Sequence, residues 1–336
     1  MQIKPFEPHE LSERQLTEYH LMMSAVKDAD FPEDPPLSYD AAVGRLRNPP
    51  LTDGECLHWA AYQAQRLVGW ARLRLPTEEN AGVVKLEVVV HPELRRQGIG
   101  TAMLRAVLPT ILDTRRGVVI GSGLKGDGAG AAWVSHLGFT VTASTVMQRL
   151  AVKSVPPGLW GVPTPSGYRL TNWIGTTPDD LIDSYAAARP AIRDAPLGQA
   201  TYVETAWTVA LVRETERELS ERGVEERVFV AIDTATGQVA GVTGILNYPH
   251  RREFGYQDDT SVLAAHRGHG LGRAMKAAMM RWIVVERPDI EYIYTTTAAE
   301  NSHMINVNLA IGYETIRGMV WTEIKTTDLA SMLGGQ

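Results

Sequence analysis

The chain contains one short glycine-rich motif twice, and each copy stands in the same local context. Each copy follows an apolar, strand-like run and opens a pattern of apolar residues with helical spacing, which is the context of a phosphate-binding turn. Further segments match in the same order, so the repeat predicts a duplicated domain. The matching segments are Val68-Gly69 with Ala240-Gly241, Arg95-Arg96-Gln97-Gly98-Ile99-Gly100 with Arg267-Gly268-His269-Gly270-Leu271-Gly272, and Leu137-Gly138-Phe139 with Ile311-Gly312-Tyr313.

Length and composition agree with two ordinary globular domains. The chain has 336 residues, of which 44% are hydrophobic and 21% are charged, and its net charge is −6. No basic cluster suits a nucleic-acid backbone, so we expect no nucleic-acid partner. The single cysteine, Cys56, fits a reducing compartment, and the sequence shows neither a signal-peptide core nor an apolar run of membrane-spanning length. We therefore expect a cytoplasmic protein without a membrane partner.

A segment rich in proline and glycine divides the two halves. Residues 153–166 are predicted as a linker between an N-terminal domain at 1–152 and a C-terminal domain at 167–336. In each half strands precede the glycine turn and a helix follows it, which predicts an α/β (α+β) architecture: a mixed, mostly antiparallel sheet flanked by helices. We also predict helices over 9–28 and 203–222, and a last strand near Met319–Lys325 that closes the second domain.

The glycine turns are suited to binding a diphosphate. A turn at a helix N-terminus offers several backbone N–H donors and the positive end of the helix dipole. A dinucleotide-binding fold would require a third glycine where the chain has Met103 and Met275. A Walker loop would require Gly-Lys-Ser/Thr, which neither copy contains. A purely structural turn is the remaining alternative, and the second copy weakens it.

At these residues the chain resembles the GNAT superfamily of acyl-coenzyme A-dependent N-acyltransferases. The doubled layout is most similar to the tandem GNAT proteins common in actinobacteria, the group that includes mycothiol synthase. The resemblance covers nearly the whole chain and is stronger over 225–325 than in the first half. It rests on Gln257-Asp258-Asp259-Thr260, on His266-Arg267-Gly268-His269-Gly270-Leu271-Gly272 with Lys276, and on Asn301-x2-Met304-x3-Asn308-x3-Gly312-Tyr313.

The resemblance implies acetyl-coenzyme A as the acyl donor. It implies that the diphosphate lies at the turn and that the pantetheine arm pairs like an extra strand with the backbone at Val262 and Leu263. The residues implied in coenzyme A binding are Val262, Leu263, Arg267, Gly268, His269, Gly270, Leu271, Gly272, Arg273, Asn301 and Asn308 in the second half, and Val90, Arg95, Arg96, Gln97, Gly98, Ile99, Gly100 and Thr101 in the first.

Transfer of an acyl group to an amine requires a base for the amine proton. Asp259 lies as far before Arg267 as Glu87 lies before Arg95, so matched acids stand on the strand before each turn. We predict that Asp259 is the base, with a purely structural carboxylate as the alternative. Asp258 should face the other side of the sheet because strand side chains alternate, unless a bulge reverses the two.

The leaving thiolate requires a proton, and here the chain departs from the family pattern. Many GNAT enzymes have a tyrosine proton donor four residues before the Gly-Phe/Tyr pair, where this chain has Asn308 in the second half and Val134 in the first. Asparagine can hydrogen-bond the sulfur or the pantetheine amides, but it is no proton donor at pH 7. We therefore predict a positioning role for Asn308, with water or a tyrosine such as Tyr294 as the proton donor.

The second half is predicted as the catalytic copy. Asn301, Met304 and Asn308 give it a polar pantetheine wall, whereas residues 126–134 of the first half are mostly small. We expect an N-acetyltransferase that acetylates a primary amine of a small molecule, as a monomer or a homodimer and without a metal. A transfer to a cysteinyl amino sugar as in mycothiol synthase, modification of an aminoglycoside-type antibiotic, and a catalytically silent acyl-coenzyme A-binding protein stay open as alternatives.

Overall fold

The computed structural model describes residues 1–49, 54–194, 198–203 and 206–334, and the chain divides into two compact units. Unit 1 consists of residues 1–144, 198–203 and 319–336, and unit 2 consists of residues 145–197 and 204–318. The predicted linker, 153–166, falls within unit 2. The units differ from the predicted contiguous division because two segments of the second half belong to unit 1 and residues 145–152 of the first half belong to unit 2.

The strands and helices follow the order that the repeat implies. The strands are β1 (Gln2–Phe6), β2 (Glu55–Gln63), β3 (Arg66–Leu75), β4 (Val83–Val90), β5 (Val118–Lys125), β6 (Thr140–Ala151), β7 (Tyr168–Ile174), β8 (Glu225–Asp233), β9 (Val239–Asn247), β10 (Phe254–Val262), β11 (Tyr292–Ala298) and β12 (Glu314–Lys325). The α-helices are α1 (Glu13–Asp30), α2 (Tyr39–Arg47), α3 (Ile99–Asp113), α4 (Ala129–His136), α5 (Ile182–Ala188), α6 (Val209–Glu221), α7 (Leu271–Glu286), α8 (Ser302–Ala310) and α9 (Thr326–Gly334).

Unit 1 is a mixed sheet with helices on both faces. Strands β1 to β4 pair antiparallel in chain order, and β4 pairs parallel with β5. Helix α3 buries Met103 and Leu104 on one face of the sheet, and α1 buries Leu16 and Met22 on the other. Both helices repeat apolar residues at a spacing of three to four, which places them along one side of the helix.

Unit 2 repeats this architecture and confirms the predicted mixed sheet. Strands β7 to β10 pair antiparallel in chain order, and β10 pairs parallel with β11. Helix α7 buries Met275 and Met279 on one face, and α5 buries Ile182 and Tyr185 on the other. Within the described ranges, no helix has the length and apolar character needed to cross a membrane.

Local capping sets where two of the helices begin and corrects two predictions. Helix α1 begins at Glu13 rather than at residue 9, because the side chains of Ser12 and Gln15 form a reciprocal capping box. Helix α6 begins at Val209 rather than at residue 203, because the Thr208 side chain accepts a hydrogen bond from the N–H of Leu211. Residues 204–205 of that predicted helix lie outside the described residues.

The prediction that Met319–Lys325 closes the second domain is wrong. These residues pair with Val118–Lys125 of β5, inside unit 1. Residues Thr145–Ala151, at the end of the first half, pair instead with β11 in unit 2. Periodicity along a strand shows which side chains are buried but not which edge the strand joins, because every strand edge offers the same backbone donors and acceptors.

Candidate functional site

Unit 2 has an opening between its two parallel strands. The parallel register of β10 and β11 joins Phe254–Tyr256 to Tyr292–Tyr294. Past this register both strands continue, β10 to Val262 and β11 to Ala298. Backbone N–H and C=O groups need hydrogen-bond partners. The edges of β10 and β11 that face the opening are therefore suited to pair with an extended ligand.

The predicted glycine turn lies at the end of this opening, where β10 leads into α7. Gly268 and Gly270 have φ angles of 81° and 78°, a left-handed conformation that favours glycine, and Gly270 caps the helix. A Cβ atom added at Gly268, Gly270 or Gly272 would have no other atom within 4 Å. The N–H groups of the first helical turn therefore lie at an open surface, and this arrangement is suited to binding an anion.

Neighbouring side chains hold the turn against the sheet. The Nε atom of Arg267 donates to the carbonyl oxygen of Val262 at 3.0 Å. Tyr168 on β7 contacts His266, with 2.9 Å between Oη and Nδ1, and its ring centroid lies 5.6 Å from that of His269. The other predicted binding residues of this segment range from buried to exposed: Leu271 is buried, Leu263 is partly buried and Arg273 is exposed.

A β-bulge in β10 brings both predicted acids to one arginine. The register between β9 and β10 shifts between Gln257 and Thr260. The Nη2 atom of Arg189 lies 3.3 Å from Oδ2 of Asp258 and 3.7 Å from Oδ2 of Asp259. The expectation that Asp258 faces away from Asp259 is therefore wrong, because the bulge interrupts the alternation of side chains.

Arg189 is the centre of a buried cluster that the sequence analysis missed. Its side chain is 7% exposed, and Nη1 lies 3.9 Å from Oε1 of Glu226. The guanidinium carbon lies 3.6 Å from the ring centroid of Trp207, and Nη1 donates to Oη of Tyr185 at 3.2 Å. Burial raises the pKa of Glu226 to about 7 against the opposing effect of Arg189. The His, Cys, Asp and Glu side chains that the structure describes form no group of three or more that could hold a metal ion.

Asn308 is fully buried beside the opening. Its Nδ2 atom donates to Oε1 of Gln148 at 2.8 Å and to Oγ1 of Thr297 at 3.4 Å. Its Oδ1 atom has no hydrogen-bond partner among the described residues. Asn301, predicted beside it, caps α8 by accepting a hydrogen bond from the N–H of Met304 at 3.1 Å. Asn308 thus has a free acceptor, whereas the Asn301 side chain has a structural role.

Tyr294 and Asn308 lie on opposite faces of the sheet. Tyr294 pairs across the sheet with Tyr256 and Arg149, which puts their three side chains on one face. Gln148, the neighbour of Arg149, contacts Asn308, and adjacent strand residues point to opposite faces. The structure therefore does not bring these two predicted catalytic residues together.

Unit 1 repeats both the opening and the turn. Strands β4 and β5 register over Val83–Lys85 and Val118–Ile120, and β4 then continues to Val90. Gly98 caps α3 with a φ of 80°, and Arg96 adopts a φ of 65° at the place that glycine occupies in unit 2. The other predicted residues lie along the turn and the start of α3: Arg95, Gln97, Ile99, Gly100 and Thr101.

A tryptophan covers the inner side of the turn in unit 1. A Cβ atom added at Gly100 would lie 3.4 Å from the ring of Trp133, and the Trp133 Nε1 atom donates to Oγ1 of Thr101 at 3.4 Å. Arg95 forms two hydrogen bonds with the carboxylate of Asp30, at 2.6 and 2.7 Å. The turn of unit 1 is therefore less open than that of unit 2.

The profile of the Acetyltransferase (GNAT) family matches residues 19–122 and 191–313, which is more than half of the chain. The chain belongs to the GNAT acetyltransferase family. The predicted GNAT fold and the predicted enzyme class, an N-acetyltransferase, are thereby confirmed. Because the two matches fall in different halves of the sequence, the chain is a tandem member of the GNAT family.

Two mycothiol acetyltransferases are similar in sequence to the chain. The mycothiol acetyltransferase of Mycolicibacterium smegmatis is 27% identical over 265 residues, which cover 76% of this chain and 80% of the relative. That of Mycobacterium leprae is 30% identical over 113 residues, or 34% of each chain.

Solved structures show the same GNAT fold. A tandem GNAT protein from the clavulanic acid biosynthesis pathway has a TM-score of 0.78 at 24% identity, covering 97% of this chain and 98% of its own. A GCN5-related N-acetyltransferase from Sphaerobacter thermophilus has a TM-score of 0.71 at 14% identity, covering 97% and 95%. At these identities the likeness shows the fold alone.

Proposed function

We propose that unit 2 transfers the acetyl group of acetyl-coenzyme A to a primary amine of a small molecule. The observation that carries this proposal is the opening between β10 and β11. An open glycine turn lies at one end of it, and β10, which forms one of its sides, carries the carboxylates of Asp258 and Asp259. Membership of the GNAT family supports the reaction class. The single cysteine supports a reducing compartment, and we assign the reaction to the cytoplasm.

Coenzyme A would bind along the opening in an extended form. In this proposal its diphosphate accepts hydrogen bonds from the N–H groups of residues 268–273, and its pantetheine arm pairs with the backbone at Val262 and Leu263. The free Oδ1 atom of Asn308 supports a hydrogen bond to a pantetheine amide, because a buried acceptor without a partner is costly. The exposed Arg273 adds positive charge beside the diphosphate.

The acids on β10 would prepare the amine. A free alkylamine has a pKa of about 10 and is protonated at neutral pH, so it must lose a proton before it attacks the thioester. We assign this proton to Asp259, and Asp258 is the competing candidate because both carboxylates approach the same guanidinium. Three acids, these two and Glu226, surround the single charge of Arg189, which favours a cationic acceptor.

Unit 1 would not catalyse transfer. Trp133 covers the inner side of its turn, and the side chain of Arg95 is engaged by Asp30. Val134 stands at the position of Asn308 and offers no hydrogen bond to a pantetheine arm. We therefore propose a structural role for unit 1.

A cysteinyl amino sugar is the second candidate acceptor. The similarity to mycothiol acetyltransferase over most of the chain favours it, and such a sugar also carries a primary amine. An aminoglycoside-type antibiotic is the third candidate acceptor. It carries cationic amines, which fit the acidic cluster around Arg189.

Turnover with a panel of amines tests the proposal. The purified protein is mixed with acetyl-coenzyme A and a cysteinyl amino sugar, an aminoglycoside, a polyamine or a simple alkylamine, and thiol release and the product mass are measured. We expect acetylation of the nitrogen of at least one amine. Coenzyme A binding without turnover of any amine would instead support the silent binding protein.

A further inference from the structure

Three polar side chains surround the β-bulge of β10 in unit 2. Gln257 is the residue before the bulge, Thr260 is the residue after it, and Thr243 lies opposite Thr260 on β9. All three are buried, with exposures of 8%, 9% and 0%. Thr243 pairs with Phe229, and Val262 follows Thr260 by two residues. Phe229 and Val262 pack in the core with α7, so both threonines face α7.

Hydrogen bonds join these side chains across the bulge. Nε2 of Gln257 donates to Oγ1 of Thr243 at 3.0 Å and to the carbonyl oxygen of Gly244. Oγ1 of Thr243 lies 2.7 Å from Oγ1 of Thr260. A bulge interrupts the ladder of backbone hydrogen bonds, and the Gln257 amide supplies a donor to a backbone carbonyl at that interruption. We call Gln257, Thr243 and Thr260 the bulge clamp.

The two acids of β10 lie on the other face of the sheet at the same place. One residue of β9, Gly244, stands opposite two residues of β10, Asp258 and Asp259. Both carboxylates approach Arg189, whose guanidinium donates to Tyr185 in the core with α5. The bulge clamp therefore faces α7, and the acids that its bulge displaces face α5.

Unit 1 has a regular ladder at the corresponding place. The counterparts of the two threonines are Ala71 and Val88, which pair directly with each other. The counterparts of the two acids are Leu86 and Glu87, and here the side chains alternate: Leu86 packs in the core with α3, whereas Glu87 contacts Arg72 at 2.7 Å. The fold thus forms without hydroxyls at these positions, and it then turns only one of the two residues to the face of the acids.

We propose that the bulge clamp consists of positioning residues that hold Asp258 and Asp259 together at the acceptor amine. This inference rests on the proposed function, in which a β10 carboxylate takes the amine proton. A base must lie within hydrogen-bond reach of that proton, and a displacement of about 1 Å can lower a rate about 10²-fold. Loss of the clamp hydrogen bonds lets the bulge relax toward a regular ladder, in which adjacent side chains alternate and one acid leaves the site.

Substitutions in the bulge clamp separate its hydrogen bonds from its packing. The double variant Thr243→Val, Thr260→Val keeps the side-chain shapes and removes both hydroxyls, so its Tm should stay close to that of the wild type. The double variant Thr243→Ser, Thr260→Ser keeps the hydroxyls and removes two buried methyl groups, so its Tm should fall. Gln257→Met removes the amide donor. Thr322→Val is the matched control, since Thr322 is a buried threonine of the unit 1 sheet whose Oγ1 donates to the carbonyl oxygen of Gly121 at 3.3 Å.

Two readouts test the bulge clamp, one of them without turnover. Hydrogen exchange measures the protection of the backbone amides over residues 257–260, and steady-state kinetics give kcat and the KM for acetyl-coenzyme A with a reactive amine. For the double valine variant and Gln257→Met we expect exchange about tenfold faster and kcat at least about tenfold lower. The KM for acetyl-coenzyme A should stay near the wild-type value because the glycine turn is unchanged. The double serine variant should keep the wild-type exchange and kcat despite its lower Tm, and Thr322→Val should change neither.

The outcomes distinguish this inference from the proposed function. A wild-type protein that acetylates no amine would refute the proposed function itself. If the wild type does acetylate an amine, a folded double valine variant with unchanged kcat or unchanged exchange overturns the role of the bulge clamp alone. A kcat that follows the Tm through the valine, serine and Thr322→Val variants alike would make the three residues merely structural and would overturn the inference in the same way.

Discussion

Replacement of Gly270 by aspartate should strongly weaken coenzyme A binding to unit 2. Gly270 caps α7 with a φ of 78°, and a Cβ atom added there would have no other atom within 4 Å. The first atom of the new side chain therefore meets no steric obstacle apart from its own chain neighbours. The folded state should pay only the strain of a left-handed conformation, about 1–2 kcal/mol.

The main effect is repulsion between the new carboxylate and the diphosphate. Two unit charges 4 Å apart interact by about 1 kcal/mol in water and about 4 kcal/mol near a protein surface. The residues of the turn are exposed, so we take a value between these limits, about 2–3 kcal/mol. The Kd for coenzyme A should therefore rise about 10²-fold, since each 1.4 kcal/mol corresponds to a factor of about ten.

Isothermal titration calorimetry with two matched variants isolates this effect. Gly270→Asn has almost the same size and strain without the charge, so most of the affinity should remain. Gly98→Asp places the same charge at the equivalent cap of unit 1, where φ is 80° and the new Cβ atom also meets no steric obstacle. Gly98→Asp should keep most of the acetyltransferase activity, whereas Gly270→Asp should eliminate that activity. A Kd within threefold of the wild type for Gly270→Asp, or loss of activity in Gly98→Asp alone, would refute the reasoning.

Three further variants test the acids, the buried arginine and a buried histidine. Asp259→Asn should lower kcat by about 10²-fold with the Kd of acetyl-coenzyme A unchanged, and a fully active variant would make Asp259 structural. Arg189→Met removes the guanidinium that both Asp258 and Asp259 approach and leaves buried acids without their cation, so kcat and the Tm should both fall, and wild-type values of both would contradict this. Burial lowers the pKa of His58 from 6.5 to about 4, so the unfolded chain binds a proton that the folded one does not. The free energy of unfolding should therefore fall by roughly 3 kcal/mol as the pH drops from about 6.5 to about 4. Urea unfolding of His58→Phe should lose this dependence, whereas the same slope in both proteins would exclude His58 as the cause.

The duplication, the order of elements and the glycine turns could all be predicted from the sequence. These features depend on short-range properties: the apolar periodicity of a strand or helix, and the left-handed conformation that Gly98, Gly268 and Gly270 adopt. Each pattern occurs twice in the sequence. The second copy supports the interpretation of the first independently, and for this reason the glycine turns indicated one family. The site residues taken from that resemblance stay predictions.

Only the tertiary structure decided which segments meet. The last strand, Met319–Lys325, pairs with β5 in unit 1, the bulge in β10 turns Asp258 and Asp259 to the same arginine, and the Lys276 side chain is buried. None of these results has a local signature. A strand edge accepts any partner of suitable register, and the environment of a charged side chain is set by segments distant in sequence, so both are fixed only when the chain packs.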